Sequence, residues 1–224
     1  VVKKSVISEV IALKPTDFKN LTPRLLVREG DADKAGTPVF ADKFSPEIIF
    51  ASPVSGVVSE VVRGEKRKLL EIRIKTDKQI EYIKYDLPKV EDLSAEKIIE
   101  ALKKSGLWVC LKQRPYGIIP NPNVEPKAIF VSGFSSVPAA PDYDYALKDE
   151  LDNIQLAINA LNKLTKGGVH MGLSRISANS TPLHKLKNVY FHVFDGPHPA
   201  DNVGVQIHHI SPVNKGEVVW TVDL

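Results

Sequence analysis

The chain of 224 residues is poor in several things, and each shortage removes a class of function. A single cysteine, Cys110, forbids an internal disulfide framework and any cysteine-built zinc or iron–sulfur site, and it points to a reducing compartment. Aromatic residues make up only 7% of the chain, which with 43% apolar and 25% charged residues still describes a globular chain and not a disordered one. Neither sign of charge dominates: 30 Lys plus Arg against 27 Asp plus Glu leave a formal charge of +3, too small and too mixed to mark a nucleic-acid partner. Long apolar runs are missing. The longest uncharged stretch, Ala128 to Pro141, falls short of the ~20 apolar residues of a spanning helix, so no transmembrane segment is expected. Nor does a cationic segment followed by an apolar run stand behind Val1, so no signal peptide is read. What the chain does have is 43% apolar side chains, enough to bury a substantial core in one large or two modest domains.

The first ninety or so residues of the sequence read as strands. Glu9 to Leu13, Leu25 to Arg28, Pro38 to Phe40, Ile48 to Ala51, Gly56 to Val62 and Leu69 to Lys75 are short runs separated by turn clusters such as Glu29-Gly30-Asp31. Within Leu69 to Lys75 the pattern Leu, Glu, Ile, Arg, Ile, Lys alternates with period two, which predicts a strand with one buried and one wet face. Composition changes near Asp92. Ser94 is placed to cap a helix over Ala95 to Ser105 that Gly106 ends, and Asp144 to Lys166 carries apolar residues at helical spacing up to Gly167-Gly168. Strands are expected at Lys127 to Val131, Val169 to Leu173, Asn188 to Phe194 and Val218 to Val222, with a short helix near Asn202 to His209. The expectation is an α+β chain of two domains: a β barrel-sandwich hybrid over residues 1–88, lipoyl/biotinyl-like, and an α/β Rossmann-like domain with a mostly parallel sheet over residues 92–224.

Several chemistries compete with plainer readings. The runs Arg28-Glu29-Gly30-Asp31, Ala41-Asp42-Lys43 and Ser52 to Val58 resemble a carrier domain modified at a lysine on a hairpin tip, here Lys43. Phe44-Ser45-Pro46 replaces the tight turn that such a lysine needs, which favours the fold without the modification. The turn Ser132-Gly133-Phe134-Ser135-Ser136-Val137-Pro138 has one glycine where a dinucleotide loop has three, and no P-loop is present. Gly133 to Ser136 imitates half of a nucleophile elbow, but Pro138 stands in the way of the helix that must follow. Cys110 lies in an apolar run and reads as a core residue. His192, Asp195, His198, His208 and His209 fall close together without a ligand spacing, so neither a metal centre nor a catalytic residue is assigned. The basic cluster Arg63 to Lys68 reads as a solvated hairpin.

Three runs are more specific. Ser105-Gly106-Leu107-Trp108 with Gln113-Arg114-Pro115-Tyr116 precedes Lys127 to Val131; then come Phe194-Asp195-Gly196-Pro197-His198-Pro199-Ala200 with Gly204, and finally Pro212-Val213-Asn214. Together with Val27 to Asp31 and Arg63 to Arg67, these resemble the signatures of the NqrA family, the A subunits of the bacterial sodium-translocating NADH:quinone oxidoreductase. The resemblance implies a fragment of a chain about twice as long, continuing into a β-grasp domain. It implies a peripheral place on the cytoplasmic side of the bacterial inner membrane, among the other subunits of a six-subunit sodium pump, some membrane-embedded. It implies quinone as substrate, no cofactor bound in this chain, and NADH, flavins and an iron–sulfur centre on partner subunits. The rivals are the C subunit of the related Rnf electron-transport complex and a carrier domain modified at Lys43.

A quinone needs an apolar slot with hydrogen-bond donors at its carbonyls. Phe130 and Phe134, with Ser135 or Ser136 as donors, form one candidate; Phe194 and His198 form another, with His198 able to donate to a carbonyl or supply a proton. The competing reading makes Phe130 a core residue and Asp195-Gly196-Pro197 a rigid turn.

Overall fold

The computed structural model describes residues 8–224; the reading of the start at Val1 lies outside them. The chain divides into two compact units. One runs to Leu87 and takes in Glu100–Val109; the other comprises Pro88–Ile99 and Cys110–Leu224.

Among the described residues, the first unit is built from seven short strands: β1 (Val10–Leu13), β2 (Pro23–Leu25), β3 (Ala32–Asp33), β4 (Pro38–Asp42), β5 (Ile49–Ala51), β6 (Gly56–Arg63) and β7 (Leu69–Thr76). They form two antiparallel sheets, ordered β1-β7-β6-β3 and β2-β4-β5. The alternation expected over Leu70 to Lys75 holds: Ile72 and Ile74 are fully buried, while Glu71 and Arg73 pair at 2.9 Å on the other face of β7. Val39, Phe40 and Phe50 bury the second sheet, the last two rings stacked at 4.4 Å. The run Arg28 to Asp31 has a local explanation. Asp31 Oδ2 accepts from Arg28 N at 2.7 Å to close the turn, and Glu29 Oε1 accepts from Val61 N at 2.7 Å, between the two points where the β6–β7 ladder slips register.

Helix α1 (Ala95–Lys104) begins behind Ser94, whose hydroxyl accepts from Lys97 N at 3.4 Å, and stops at Gly106, which takes φ +76°. Trp108, just beyond, is fully buried.

The second unit carries a five-stranded sheet of β8 (Lys112–Arg114), β9 (Ile129–Ser132), β10 (Val169–Ser174), β11 (Tyr190–Phe194) and β12 (Val219–Val222), ordered β11-β10-β9-β12-β8. The β11–β10, β10–β9 and β9–β12 pairings are parallel and β12–β8 is antiparallel. Strand β8 is not foreseeable from sequence, because Lys112-Gln113-Arg114 has no apolar pattern and is drawn into the sheet by pairing with β12. The single helix expected over Asp144 to Lys166 is instead two, α2 (Tyr143–Ala146) and α3 (Leu151–Asn162). The break falls at the charged Lys148-Asp149-Glu150. Thr181 Oγ1, donating to Asp144 at 2.5 Å, tethers α2 to the segment ahead of β11. Helix α4 (Val203–Ile210) is capped by Asn202, whose side chain accepts from Gly204 N at 2.8 Å, and it packs Ile207 on Ala128, Phe130 and Val219. The segment Val90 to Leu93 is pinned by Lys163 Nζ, which donates to the carbonyls of Val90, Glu91 and Leu93 at 2.7, 2.7 and 2.8 Å.

Candidate functional site

The sheet order places two loops together. After β11, at one edge, the chain must return past the carboxyl ends of β10 and β9 to deliver α4 and then β12 on the far side of β9. It therefore passes the loop that leaves β9, at the point where strand order reverses. Gly133 starts that loop. Its N–H donates to Gly172 O at 2.8 Å, and a β-carbon there would stand 2.9 Å from the same oxygen, so only glycine allows the approach.

Four side chains then meet. Ser135 Oγ donates to Asp201 Oδ2 at 3.1 Å and Ser136 Oγ donates to Asp201 Oδ1 at 2.5 Å. His198 Nδ1 lies 3.1 Å from Ser136 Oγ and 3.3 Å from Asp201 Oδ1. Beneath them the fully buried Gln206 on α4 directs its amide nitrogen to Ser132 Oγ at 3.1 Å and to the carbonyls of Ala200 and Asp201 at 3.2 and 3.3 Å.

Hydrogen accounting fixes the polarity. Ser136 has one hydroxyl hydrogen and gives it to Asp201, so toward His198 its oxygen accepts. His198 Nδ1 therefore carries the proton, and Nε2 of the neutral ring is left with a free lone pair on a side chain about half exposed. Burial pushes the Asp201 carboxyl up. The hydrogen bonds from the side chain and backbone of Ser136, from Ser135 and from its own backbone outweigh that, and hold it below the usual carboxylate range. An ionised carboxylate behind Nδ1 is the arrangement that sets an imidazole's tautomer and turns Nε2 toward a partner. It does not activate a nucleophile, because both serines spend their hydrogens on the carboxylate.

The residues singled out from sequence are thus partly united. Ser135, Ser136 and His198 share one cluster, and Phe134 sits half-buried in the same loop. Phe130 must be corrected: it is 1% exposed, closed in by α4 and stacked on His170 at 4.9 Å, and so it is core and not the wall of an open slot. Phe194 stands at the end of β11, where its carbonyl accepts from Arg175 N at 2.9 Å, and Asp195 pairs with Arg175 at 3.6 Å. Cys110 is exposed and not the core residue expected; it ends a short 3-10 turn over Trp108–Cys110. Desolvation of its sulfur, only partly offset by Lys112, pushes the thiol up, away from reactivity. Lys43 is exposed in the six-residue connection between β4 and β5. No helix directly follows β9, since α2 begins at Tyr143 and is a single turn. Sequence reasoning missed Asp201 and Gln206. The one signal for Asp201 was an acid three residues after His198; Gln206, inside an apolar helix pattern, gave none.

Comparison with known proteins also divides the chain in two, except that Glu100–Val109 of the first unit falls within the second family match. A family model described as the NqrA N-terminal barrel-sandwich hybrid domain matches residues 1–77, and one described as the NqrA second alpha/beta domain matches residues 93–224. The chain belongs to the NqrA family. A relative from Neisseria meningitidis, named as the A subunit of the Na(+)-translocating NADH-quinone reductase, is 36% identical over 220 residues, covering 97% of this chain and 48% of the relative. Proteins of the same name from Yersinia pseudotuberculosis and Neisseria gonorrhoeae are 35% and 34% identical over 95% of this chain, covering 47% and 48% of their own lengths. The chain spans about half the length of these NqrA relatives. The first unit is accordingly a barrel-sandwich hybrid and the second an α/β domain. Some runs that carried the NqrA resemblance are structural in origin. Lys127 Nζ holds Glu217 at 2.9 Å and the carbonyl of Pro212 at 3.2 Å, while Glu217 accepts from Asn214 N at 2.9 Å, which ties Pro212-Val213-Asn214 to the start of β9.

Proposed function

We propose that this chain is part of the NqrA component of a sodium-translocating NADH:quinone oxidoreductase, serving complex assembly and quinone reduction while NADH oxidation drives sodium export. The observation that carries the reading is similarity to proteins of that name along nearly the whole chain. In this reading the second unit is a Rossmann-like domain without a dinucleotide, and a β-grasp domain belongs to the rest of the NqrA polypeptide. The protein lies peripherally on the cytoplasmic side of the bacterial inner membrane, against membrane-embedded partners of a six-subunit pump. Among the described residues no helix is long and apolar enough to cross a membrane. NADH, flavins and the iron–sulfur centre are assigned to partner subunits.

Within the chain, the Ser135, Ser136, His198 and Asp201 cluster is the place assigned to quinone. Phe134 offers the ring with an apolar contact, and His198 Nε2, when protonated, donates to a carbonyl oxygen. Asp201 holds the imidazole in register. The residues fit a transient quinone contact at a loop surface better than a deep pocket, since Phe130 is sealed in the core. Titration with a short-chain quinone, followed by NMR, is expected to move the resonances of Phe134, Ser136 and His198; an unchanged spectrum at these positions refutes the quinone assignment. Affinity purification of full-length NqrA from its native membrane is expected to recover the other pump subunits, and their absence refutes the assembly role.

A further inference from the structure

We propose that His170 and His192 form a surface site for a late first-row divalent transition ion, Cu2+ or Ni2+, bound in two adjacent coordination positions with water in the others. The two residues lie on neighbouring parallel strands. In the β10–β11 register His170 faces Tyr190 and Gly172 faces His192, so both imidazoles leave the same side of the sheet. The Gln206 amide fills the space over Gly172, and the ring of His192 lies beside that of His170, with centroids 5.1 Å apart.

The nitrogen atoms converge. His170 Nδ1 and His192 Nε2 are 2.9 Å apart. His170 Nε2 lies 3.1 Å from Gly167 O, an acceptor only, so it carries the proton and leaves Nδ1 with its lone pair. A ligating histidine whose other nitrogen donates to a backbone carbonyl is the usual supporting arrangement at a metal. His192 Nε2 now donates to that lone pair. Transfer of its proton to Nδ1 of the same ring, through solvent, brings a second lone pair into the same gap with no net gain or loss of protons; the two lone pairs face each other, and a turn of the rings brings both onto one ion. Burial, partly offset at His170 by the Gly167 hydrogen bond, lowers the pKa of His170; burial and the neighbouring His170 lower that of His192.

The spacing selects the ion. With metal–nitrogen distances of about 2.0–2.1 Å, nitrogens 2.9 Å apart subtend roughly 90° at the metal. That is the angle between adjacent ligands of a square-planar or octahedral ion, and it is too narrow for tetrahedral zinc. Phe130 at 4.9 Å and Tyr190 at 5.1 Å flank the His170 ring and hold its orientation. Among the described residues no set of three or more His, Cys, Asp or Glu surrounds a common point, so water completes the shell.

Titration of metal-free protein with Cu2+ alone, read by calorimetry and by electron paramagnetic resonance, tests the site. One equivalent with coupling to two nitrogens is expected. His192→Gln and His170→Phe, the latter keeping a ring against Phe130, should each weaken binding tenfold or more, while the double variant His208→Ala/His209→Ala should retain it. Circular dichroism checks folding; should His170→Phe not fold, the partly exposed His192→Gln decides alone. Wild-type affinity in folded His192→Gln, loss of the signal in the His208/His209 variant, or no saturable equivalent in the parent overturns the proposal.

Discussion

The side-chain amide of Gln206 occupies the space that a β-carbon on Gly172 would fill. One residue is on α4 and the other in the middle of β10, so the helix approaches the sheet at the only kind of residue that admits a buried polar group there. Gly172→Ala displaces the amide and strands its partners Ser132, Ala200 O and Asp201 O. A loss of about 1–3 kcal/mol is expected from overpacking and the broken hydrogen bonds, measured as a lowered urea midpoint with unchanged slope.

Asp201 makes stability depend on pH in a definite direction. Its folded-state pKa lies below its unfolded value, so its contribution is fully present above the unfolded carboxyl value of about 3.9 and disappears as pH falls through the folded value. Asp201→Asn should lower stability at neutral pH, and the gap from the parent should close below about pH 4. A constant gap across an acid titration of the thermal midpoint contradicts the assignment.

Lys163 places one ammonium group on three carbonyls at once. Lys163→Met keeps the length of the stem and removes every donor. The expected cost is about 1–3 kcal/mol, from the range for hydrogen bonds to charged groups, together with faster proteolysis between Asp86 and Leu93.

Trp108 is a fully buried side chain outside any strand or long helix. Trp108→Ala should cost about 3–5 kcal/mol in chemical denaturation, as truncation of a core aromatic does. A change under 1 kcal/mol would mean that the site closes over the lost ring.

Much of the architecture was readable because it is local. Alternation from Leu70 to Lys75 gave β7, and Ser94 with Gly106 gave the ends of α1. What escaped depends on partners remote in sequence. Lys112-Gln113-Arg114 becomes a strand only because β12 lies beside it, and the helix expected from Asp144 breaks next to a tether to Thr181. The candidate site shows the same division. Ser135, Ser136 and His198 drew notice as residue types in glycine- and proline-marked turns, but the sequence set them in two separate candidates. Asp201, which joins them across some 65 positions, has no local mark of its role. Phe130 was ambiguous in sequence because an apolar residue in a parallel strand looks the same whether it faces a helix or a slot.

The shared carboxylate also limits how this protein can be recombined with its relatives. A chimera that imports the turn following β9 without the segment from His198 to Asp201 leaves two hydroxyls without their acceptor, and the reverse exchange leaves an anion without its donors. The two loops are one structural unit, although the helices α2 and α3 and the strands β10 and β11 separate them along the chain.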